Sequence, residues 1–237
     1  MTVIYIVLAI LLDGGAALVS GLIPERALVV ARQPLVGFAA GVLLGTTFLD
    51  LLPEALARSG GRGGLILGVV LASLVSMLIL EWALRGRPRR EGGLAGVLLG
   101  ADAIHNIADG AAITAAFMIS PRLGLVTSVA VIAHEVPEEI ADYVFLRQGG
   151  MSRRRAVLAM AAVQLTAGLG AALTAAGAAL WSGAAGVVLA LAAGTFLHIV
   201  EIDLVPLLLD AREGQARPGT LLALLAGLGV ALLGLSL

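Results

Sequence analysis

The 237-residue chain contains no cysteine and no lysine, and charged residues make up only 13% of it. The absence of cysteine excludes disulfides and thiolate metal ligands. About a quarter of the residues of a soluble globular domain are charged. The low charge, a hydrophobic fraction of 59% and a mean hydropathy of +1.04 therefore predict an integral membrane protein. The formal net charge of −1 indicates no partner class, and no nucleic-acid partner is expected.

Eight apolar stretches follow one another, each long enough to cross a hydrocarbon core of about 30 Å. We number them spans 1 to 8, and they lie near residues 2–23, 34–57, 63–84, 95–118, 122–146, 156–180, 184–209 and 219–237. Short loops rich in Gly, Pro and Arg separate them. Because helices satisfy their backbone hydrogen bonds internally, the sequence predicts one all-α polytopic membrane domain over residues 1–237, with eight transmembrane helices in a lipid bilayer.

Arginine is the one basic residue type, and it is distributed unevenly between the loops. Twelve of the 15 arginines lie in alternate loops on one side, and only Arg58, Arg62 and Arg122 lie on the other. Cytoplasmic loops carry an excess of positive charge, so both termini are expected outside the cytoplasm. With this orientation, "GTTFLDLLPEAL" in span 2 and "GTFLHIVEIDLVPLL" in span 7 run in opposite directions. Their similarity predicts a 3+2+3 arrangement, an inverted repeat of spans 1–3 and 6–8 around spans 4 and 5.

No arginine lies well inside a span, whereas acids and histidines do. Each acid at the centre of a membrane helix costs about 2.5–3.5 kcal/mol. Since no intramembrane base offsets these costs, protons or metal ions must supply the positive charge, and the sequence predicts a cation site. The residues concerned are Asp13, Asp50, Glu54, Asp102, His105, Asp109, His134, Glu135, Glu138, Glu139, Asp142, His198, Glu201 and Asp203.

The spacing of these residues in spans 4 and 5 places them on shared helix faces. Span 4 has Asp102, His105 and Asp109 at i, i+3 and i+7, with Asn106 beside them; span 5 has His134, Glu138 and Asp142 at i, i+4 and i+8, with Glu135 and Glu139 on an adjacent stripe. Pro137 is expected to disturb the helix of span 5 and to release a carbonyl near mid-membrane. Imidazole, carboxylate and amide oxygen together suit Zn²⁺, Fe²⁺ or Mn²⁺, whereas Cu(I) is poorly served.

The segments "HNIADG" in span 4 and "HEVPEEIADY" in span 5 resemble the paired signatures of the ZIP (ZRT/IRT-like) divalent-metal transporters. The resemblance implies eight spans, both termini outside, and an elevator-like carrier in which spans 1, 4, 5 and 6 move against spans 2, 3, 7 and 8, often as a homodimer. It implies a first metal site of His105, Asp109, His134 and Glu138. It also implies a second site of Asn106 and Glu135, which shares Asp109 and Glu138 and takes an acid from span 7, either Glu201 or Asp203.

Three features depart from the family pattern. Many members have histidine at the position of Glu138, the loop between spans 3 and 4 is here "RGRPRREGG" rather than histidine-rich, and Leu207 stands where an acid commonly follows the proline of span 7. These departures concern metal preference, regulation and the exit site.

The expected function is transport of a divalent transition-metal ion toward the cytoplasm, with Zn²⁺ as the first choice and Fe²⁺, Mn²⁺ and Cd²⁺ as alternatives. The metal is a substrate, so no cofactor and no enzymatic activity are expected. The remaining polar residues of the spans are expected along the pathway: Asp50, Glu54, Asp102, Glu139, Asp142, His198, Glu201 and Asp203. Gln164 is expected to bond between helices, with a place on the pathway as the alternative, and the ladder of Gly37, Gly41 and Gly45 is suited to close helix packing.

Two other function classes were weighed. An intramembrane metalloprotease needs a second histidine one turn after His134. Position 138 is glutamate, and this reading is rejected. A proton-coupled carrier or channel for another solute would use the intramembrane acids but has little need of two facing histidine motifs, and it is kept as the alternative. A chain rich in Ala, Gly and Leu whose only base is Arg suggests a multi-pass protein of a bacterial inner membrane.

Overall fold

A computed structural model describes residues 1–15, 25–85, 93–181, 183–205 and 218–236, which are almost entirely helical and contain no strand. Outside the described residues lie 16–24, at the predicted end of span 1, and most of the two predicted loops between spans 3 and 4 and between spans 7 and 8, together with the predicted end of span 7 at 206–209. Span 1 is Thr2–Asp13, span 3 is Gly63–Arg85, span 4 is Gly93–Ile119, span 5 is Pro121–Gln148 and span 8 is Pro218–Gly234. Three spans are interrupted: span 2 is Glu25–Thr46, a π-helix Thr47–Leu51 and Leu52–Ala57; span 6 is Arg153–Gln164 and Thr166–Leu180; span 7 is Ala184–His198 and a π-helix Ile199–Leu204.

The prediction of an all-helical membrane-type protein is confirmed for the described residues. Four helical segments there are long and apolar enough to cross a membrane, namely Gln33–Ala57, Gly63–Ala83, Arg153–Leu180 and Ala184–Glu201, and two shorter apolar helices lie at Thr2–Asp13 and Gly219–Gly234. Spans 4 and 5 are 27 and 28 residues long but carry the polar residues of the predicted cation site. The count of eight crossings and the orientation of the termini stay predictions.

Glycines let three pairs of helices approach closely. A Cβ atom built on Gly41 would lie 2.1 Å from the Leu224 carbonyl oxygen of span 8, and one on Gly227 would lie 2.2 Å from the Phe38 carbonyl oxygen of span 2. Gly110 and Gly170 bring spans 4 and 6 together in the same way, since a Cβ on either would lie 1.9 Å from a backbone oxygen of the other span. Gly194 of span 7 likewise allows a close approach to the backbone of span 3. The predicted glycine ladder of span 2 therefore packs within the chain, and a homodimer stays a prediction.

Two spans other than span 5 contain π-helical segments. Span 5 is assigned as one α-helix that continues through Pro137. Instead, spans 2 and 7 each contain a π-helical segment, at Thr47–Leu51 and Ile199–Leu204, in the two stretches whose sequences resemble each other. A π-helical segment inside a helix is often found at a functional site. The shared distortion agrees with a structural relationship between these two stretches.

Candidate metal site between spans 4 and 5

A one-residue connection brings the two histidine motifs together. Span 4 ends at Ile119 and span 5 begins at Pro121, and the Ser120 hydroxyl accepts a hydrogen bond from the Leu123 amide (3.1 Å), which caps the start of span 5. His105 and His134 lie 15 and 14 residues from Ser120. At 1.5 Å per residue both lie about 22 Å from the turn, at the same depth.

The side chains of the predicted first site converge. The Nε2 atoms of His105 and His134 are 2.9 Å apart. The Asp109 Oδ2 atom lies 3.4 Å from the His105 Nε2 and 3.3 Å from the His134 Nε2, and the Glu138 Oε2 lies 3.7 Å from the His105 Nε2. His134 and Asp109 are fully buried, whereas the side chains of His105 and Glu138 are 13% and 28% exposed. The cluster is therefore accessible from the side of His105 and Glu138.

Hydrogen bonding sets the orientation of His134. Its Nδ1 atom lies 3.1 Å from the Ala130 carbonyl oxygen, to which a ring nitrogen can only donate. In the neutral ring the Nε2 atom then keeps a lone pair directed at the cluster. A histidine whose second nitrogen is fixed by a backbone carbonyl is a common arrangement in metal sites. Phe196 of span 7 packs edge-on against the ring, with centroids 5.8 Å apart, and closes the far side.

Glu135, which was predicted for an adjoining site, also lies close to the first-site residues. Ligand atoms of His105, His134, Glu135 and Glu138 all lie within 4.8 Å of one another. Glu135 and Glu138 are three residues apart, so they are neighbours on the helix surface. The Glu135 Oε2 accepts a hydrogen bond from Gln164, while its Oε1 has no partner among the described residues.

Asn106 and Asp102 form a pair one turn from His105. The Asn106 Nδ2 donates to the Asp102 Oδ1 (2.7 Å) and to the Asp102 carbonyl oxygen (3.1 Å). The Asn106 Oδ1 is buried and accepts no hydrogen bond from the described part of the chain. Both side chains are buried. A second metal ion held by Asn106, Glu135, Asp109 and Glu138 remains a prediction.

The pathway residues predicted in span 2 lie in ion pairs with arginine. Asp50 is buried and accepts a hydrogen bond from the Arg122 Nη2 of span 5 (3.0 Å). Glu54 forms a partly exposed i, i+4 pair with Arg58, with its Oε1 2.6 Å from the Arg58 Nε. Neither acid contacts the histidine cluster in these pairs, and their place on a pathway stays a prediction.

The pathway residues predicted in span 7 lie in or next to its π-helical segment. The His198 Nε2 is 3.5 Å from the Glu81 Oε2 of span 3. Glu201 is exposed, and the side chain of Asp203 lies outside the described residues. In span 5, Glu139 and Asp142 are buried, and Glu139 accepts a hydrogen bond from Gln164. The contribution of Glu201 or Asp203 to a metal site stays a prediction.

The structure gives contacts for two residues whose roles the sequence did not show, Gln164 of span 6 and Arg122 at the start of span 5. The Gln164 amide of span 6 donates to two acids of span 5; its polarity within an apolar span was the signal. Arg122 donates to Asp50 and, through its Nε, to the Gly234 carbonyl oxygen of span 8 (2.7 Å). Its partners lie 72 and 112 residues away, and the sequence carried no signal for that contact.

The donor set fits a divalent transition metal. Two imidazole nitrogens and carboxylate oxygens are ligands of Zn²⁺ and of Fe²⁺ or Mn²⁺, and no thiolate or thioether is among them. The Asp109 Oδ1 and Oδ2 and the Glu135 Oε1 are buried and have no hydrogen-bond donor within the described ranges. Buried carboxylate oxygens that lack donors are costly unless a cation or a proton compensates them.

Comparison with known proteins agrees with this chemistry. The family model described as "ZIP Zinc transporter" matches residues 88–235, more than half of the chain and both histidine motifs. The zinc transporter ZIP13 of Pongo abelii is 35% identical over 220 residues, which cover 85% of this chain and 66% of the relative. The zinc transporter ZIP13 of Homo sapiens is 31% identical, with 85% of this chain and 70% of the relative covered.

A more local match is the zinc transporter ZIP4 of Homo sapiens, 44% identical over 121 residues, or 47% of this chain and 17% of the relative. The chain thus spans about two thirds of the ZIP13 relatives and a much smaller part of ZIP4. These relatives are animal proteins and lend no support to the expectation of a bacterial source. The family model and the long ZIP13 alignments establish that the chain belongs to the ZIP zinc transporter family.

Proposed function

We propose that the protein carries divalent transition-metal ions, Zn²⁺ above all, across a membrane toward the cytoplasm. The observation that carries this proposal is the meeting of His105, His134, Glu135 and Glu138, with ligand atoms within 4.8 Å of one another in the interior of a helical bundle. Charged residues inside a membrane protein mark ion pathways by default. The relatives named zinc transporters support zinc as the substrate.

The role of each ligand follows from its position. His134 and Asp109 are buried and bind the ion from the closed side, and His134 is held in one orientation by Ala130. His105 and Glu138 lie at the accessible side and take the ion first. With His134 neutral and donating through Nδ1 to Ala130, the hydrogen between the two Nε2 atoms belongs to His105. Metal binding then requires His105 to give up that hydrogen or to carry it on Nδ1.

An elevator-like movement of spans 1, 4, 5 and 6 against spans 2, 3, 7 and 8 is the mechanism we favour. The most extensive contacts join spans 2 and 8, spans 4 and 6, and spans 3 and 7, each pair within one set, while spans 2 and 5 and spans 4 and 7 contact each other across the two sets. Each set contains a helix pair joined through glycines, spans 4 and 6 in the first and spans 2 and 8 in the second. The site lies wholly on spans 4 and 5 and faces Phe196 of span 7, so movement of the first set would carry the ion with it.

Uptake into proteoliposomes loaded with a metal-sensitive dye tests the proposal. Zn²⁺, Fe²⁺, Mn²⁺ and Cd²⁺ are offered separately, and Zn²⁺ is expected to give the highest rate. Glu138→Ala is expected to reduce Zn²⁺ uptake by at least about tenfold, as is typical of a lost metal ligand. Ser128→Ala is the matched control, since Ser128 is a buried polar residue of span 5 that bonds only within its own helix, to the Gly124 carbonyl oxygen. Equal uptake by Glu138→Ala and the wild type would refute the site.

The alternative, a proton-coupled carrier or channel for another solute, makes a different prediction. A metal site stabilises the folded protein when its ion binds, whereas a pathway for protons alone does not. Zn²⁺ is therefore expected to raise the Tm of the purified wild type and not of His105→Ala. An unchanged Tm at saturating Zn²⁺ would favour the alternative.

A further inference from the structure

Span 6 continues as a helix from Arg153 to Leu180, but it loses regular α-helical hydrogen bonding at Leu165, whose φ of −64° and ψ of −19° stay helical. We call this point, at which neither proline nor glycine is present, the break. The first helix of span 6 ends at Gln164, Leu165 forms the cap, and the second helix begins at Thr166. The Thr166 Oγ1 lies 2.8 Å from the Val163 carbonyl oxygen and 3.0 Å from the Ala103 carbonyl oxygen of span 4, and its one hydrogen can serve either. The hydroxyl therefore helps to satisfy carbonyls at the break and ties it to span 4.

The backbone beyond the break has little room to move. A Cβ atom on Gly110 would lie 1.9 Å from the Ala167 carbonyl oxygen, and one on Gly170 would lie 1.9 Å from the Ile107 carbonyl oxygen. Spans 4 and 6 are thus in backbone contact within one to two turns of Gln164. Gln164 stands at the end of a rigidly placed helix segment and is only 4% exposed.

The Gln164 amide joins two acids of span 5. Its Nε2 lies 2.8 Å from the Glu135 Oε2 and also donates to the Glu139 Oε1. A carboxylate only accepts hydrogen bonds, so the amide must present its NH₂ group, whose two hydrogens match the two acceptors. Glu135 and Glu139 are four residues apart and lie one above the other on the helix.

The two oxygens of Glu135 have different surroundings. Its Oε2 is bound by Gln164, whereas its Oε1 is buried and has no donor in the part of the chain that the structure describes. Glu135 also has a carboxylate oxygen within 4.8 Å of ligand atoms of His105, His134 and Glu138. We propose that Gln164 is a positioning residue for the transported ion, which fixes the Glu135 carboxylate so that Oε1 is presented to the metal. This inference rests on the proposed function of the site.

A purely structural cross-link between spans 5 and 6 would use the two acids alike, whereas a positioning residue acts through Glu135. Zn²⁺ affinity is measured by calorimetry on the full chain in detergent. The effect of Gln164→Met is compared in three backgrounds, namely the wild type, Glu135→Met and Glu139→Met. Methionine is close in size to both residues and neither donates nor accepts through nitrogen or oxygen. Thr166→Val is the matched control, because it alters the same break without removing a hydrogen bond to either acid.

Gln164→Met is expected to weaken Zn²⁺ binding by about tenfold, the usual effect of losing a partner of a metal ligand. In the Glu135→Met background the same change is expected to have an effect of less than about threefold, and in the Glu139→Met background about tenfold again. Thr166→Val is expected to bind Zn²⁺ like the wild type. If Gln164→Met does not fold, the same comparison is carried out with Gln164→Asn, whose shorter amide cannot reach both acids.

The positioning role would be overturned if Gln164→Met weakened Zn²⁺ binding equally in the wild type, Glu135→Met and Glu139→Met. It would also be overturned if the effect disappeared only in Glu139→Met. Failure of this inference is distinct from failure of the proposed function. A wild type that binds no Zn²⁺ would contradict the metal site itself. A wild type that binds and transports Zn²⁺, with Gln164→Met indistinguishable from it, would contradict only the role of Gln164.

Discussion

At the scale of single residues, the chemistry of the site depends on two imidazoles that face each other at 2.9 Å. At most one Nε2 atom of the two can carry the hydrogen between them. Asp109 lies within 3.4 Å of both rings and is fully buried. One bound cation would replace the shared hydrogen, satisfy both rings and compensate the buried carboxylate together.

Zn²⁺ affinity should depend on pH because the ligands must be deprotonated to bind a metal. Histidine ordinarily takes up a proton between pH 7 and pH 5, so protons compete with the ion over this range. We expect the apparent affinity to fall as the pH drops from 7 to 5, and calorimetry in buffers of different ionisation enthalpy to detect proton release. Asp109→Asn should lower both the affinity and the number of protons released. An affinity that is constant from pH 7 to pH 5 would contradict this prediction.

Helix periodicity in the sequence predicts some features of the site, whereas other features arise only from the packing of distant helices. Spacing along spans 4 and 5 predicted which polar residues share a helix face, whereas the ligand set of the first site was implied by the resemblance to the ZIP transporters and stays a prediction. The donation from Gln164 to Glu135 was not predictable, since it joins residues 29 positions apart whose helices meet through tertiary packing. Only the bonding of Gln164 between helices could be expected from the sequence.

At the scale of helices, Arg122 links three spans near the turn between spans 4 and 5. It donates to the buried Asp50 of span 2 and to the Gly234 carbonyl oxygen of span 8. Loss of a donor to a buried carboxylate costs about 1–3 kcal/mol, whereas an exposed pair contributes about 0–1 kcal/mol. Arg122→Leu is therefore expected to lower the Tm of the purified protein clearly more than Arg58→Leu, which removes the exposed partner of Glu54. The opposite order would show that Arg122 does not hold the spans together.

Close packing of spans 2 and 8 leaves no space for a methyl group at Gly41. A Cβ atom there would overlap the backbone of Leu224, whereas a Cβ at Gly68 of span 3 meets nothing within 4 Å. Overpacking costs about 1–3 kcal/mol, and Gly→Ala at an open helix position stabilises by up to about 1 kcal/mol. We expect Gly41→Ala to lower the Tm and Gly68→Ala to leave it unchanged or higher. Equal Tm values for the two variants would be inconsistent with this packing.

At the scale of helices, the sequence indicated close packing at glycines but not the positions at which the helices are irregular. The glycine ladder indicated close packing, and the structure gives its partner as span 8. Pro137 predicted a disturbed turn and a released carbonyl in span 5, which stays one α-helix there, while span 6 is irregular at Leu165 with no proline or glycine at that point. The break accompanies contacts of Gln164 and Thr166 with other spans, which a local sequence pattern does not contain.

At the scale of the whole molecule, the proposed movement can be tested by cross-linking, because the chain has no cysteine of its own. A Cβ built on Gly234 of span 8 would lie 3.8 Å from the Cβ of Val126 of span 5, a separation typical of disulfides. Oxidised Val126→Cys/Gly234→Cys is expected to lose Zn²⁺ uptake by at least about tenfold and to regain it on reduction, because the proposed movement places spans 5 and 8 in different sets.

The matched control joins two spans of one set. A Cβ on Gly186 of span 7 would lie 3.2 Å from the Cβ of Arg58, at the end of span 2. Oxidised Arg58→Cys/Gly186→Cys should transport Zn²⁺ at the rate of its reduced form. Full uptake by the oxidised Val126→Cys/Gly234→Cys protein, with cross-linking verified by mass spectrometry, would exclude a movement of span 5 against span 8.

The central claim is that one divalent ion is held by both histidines of spans 4 and 5, and zinc X-ray absorption on the loaded protein tests it most directly. The chain has three histidines and no cysteine, so the count of imidazole ligands is read without sulfur interference. We predict two imidazoles per zinc at about 2.0–2.1 Å, completed by oxygen ligands. The count should remain two in His198→Ala and fall in His105→Ala. A wild-type spectrum with one imidazole or none, or with no bound zinc, would contradict the claim.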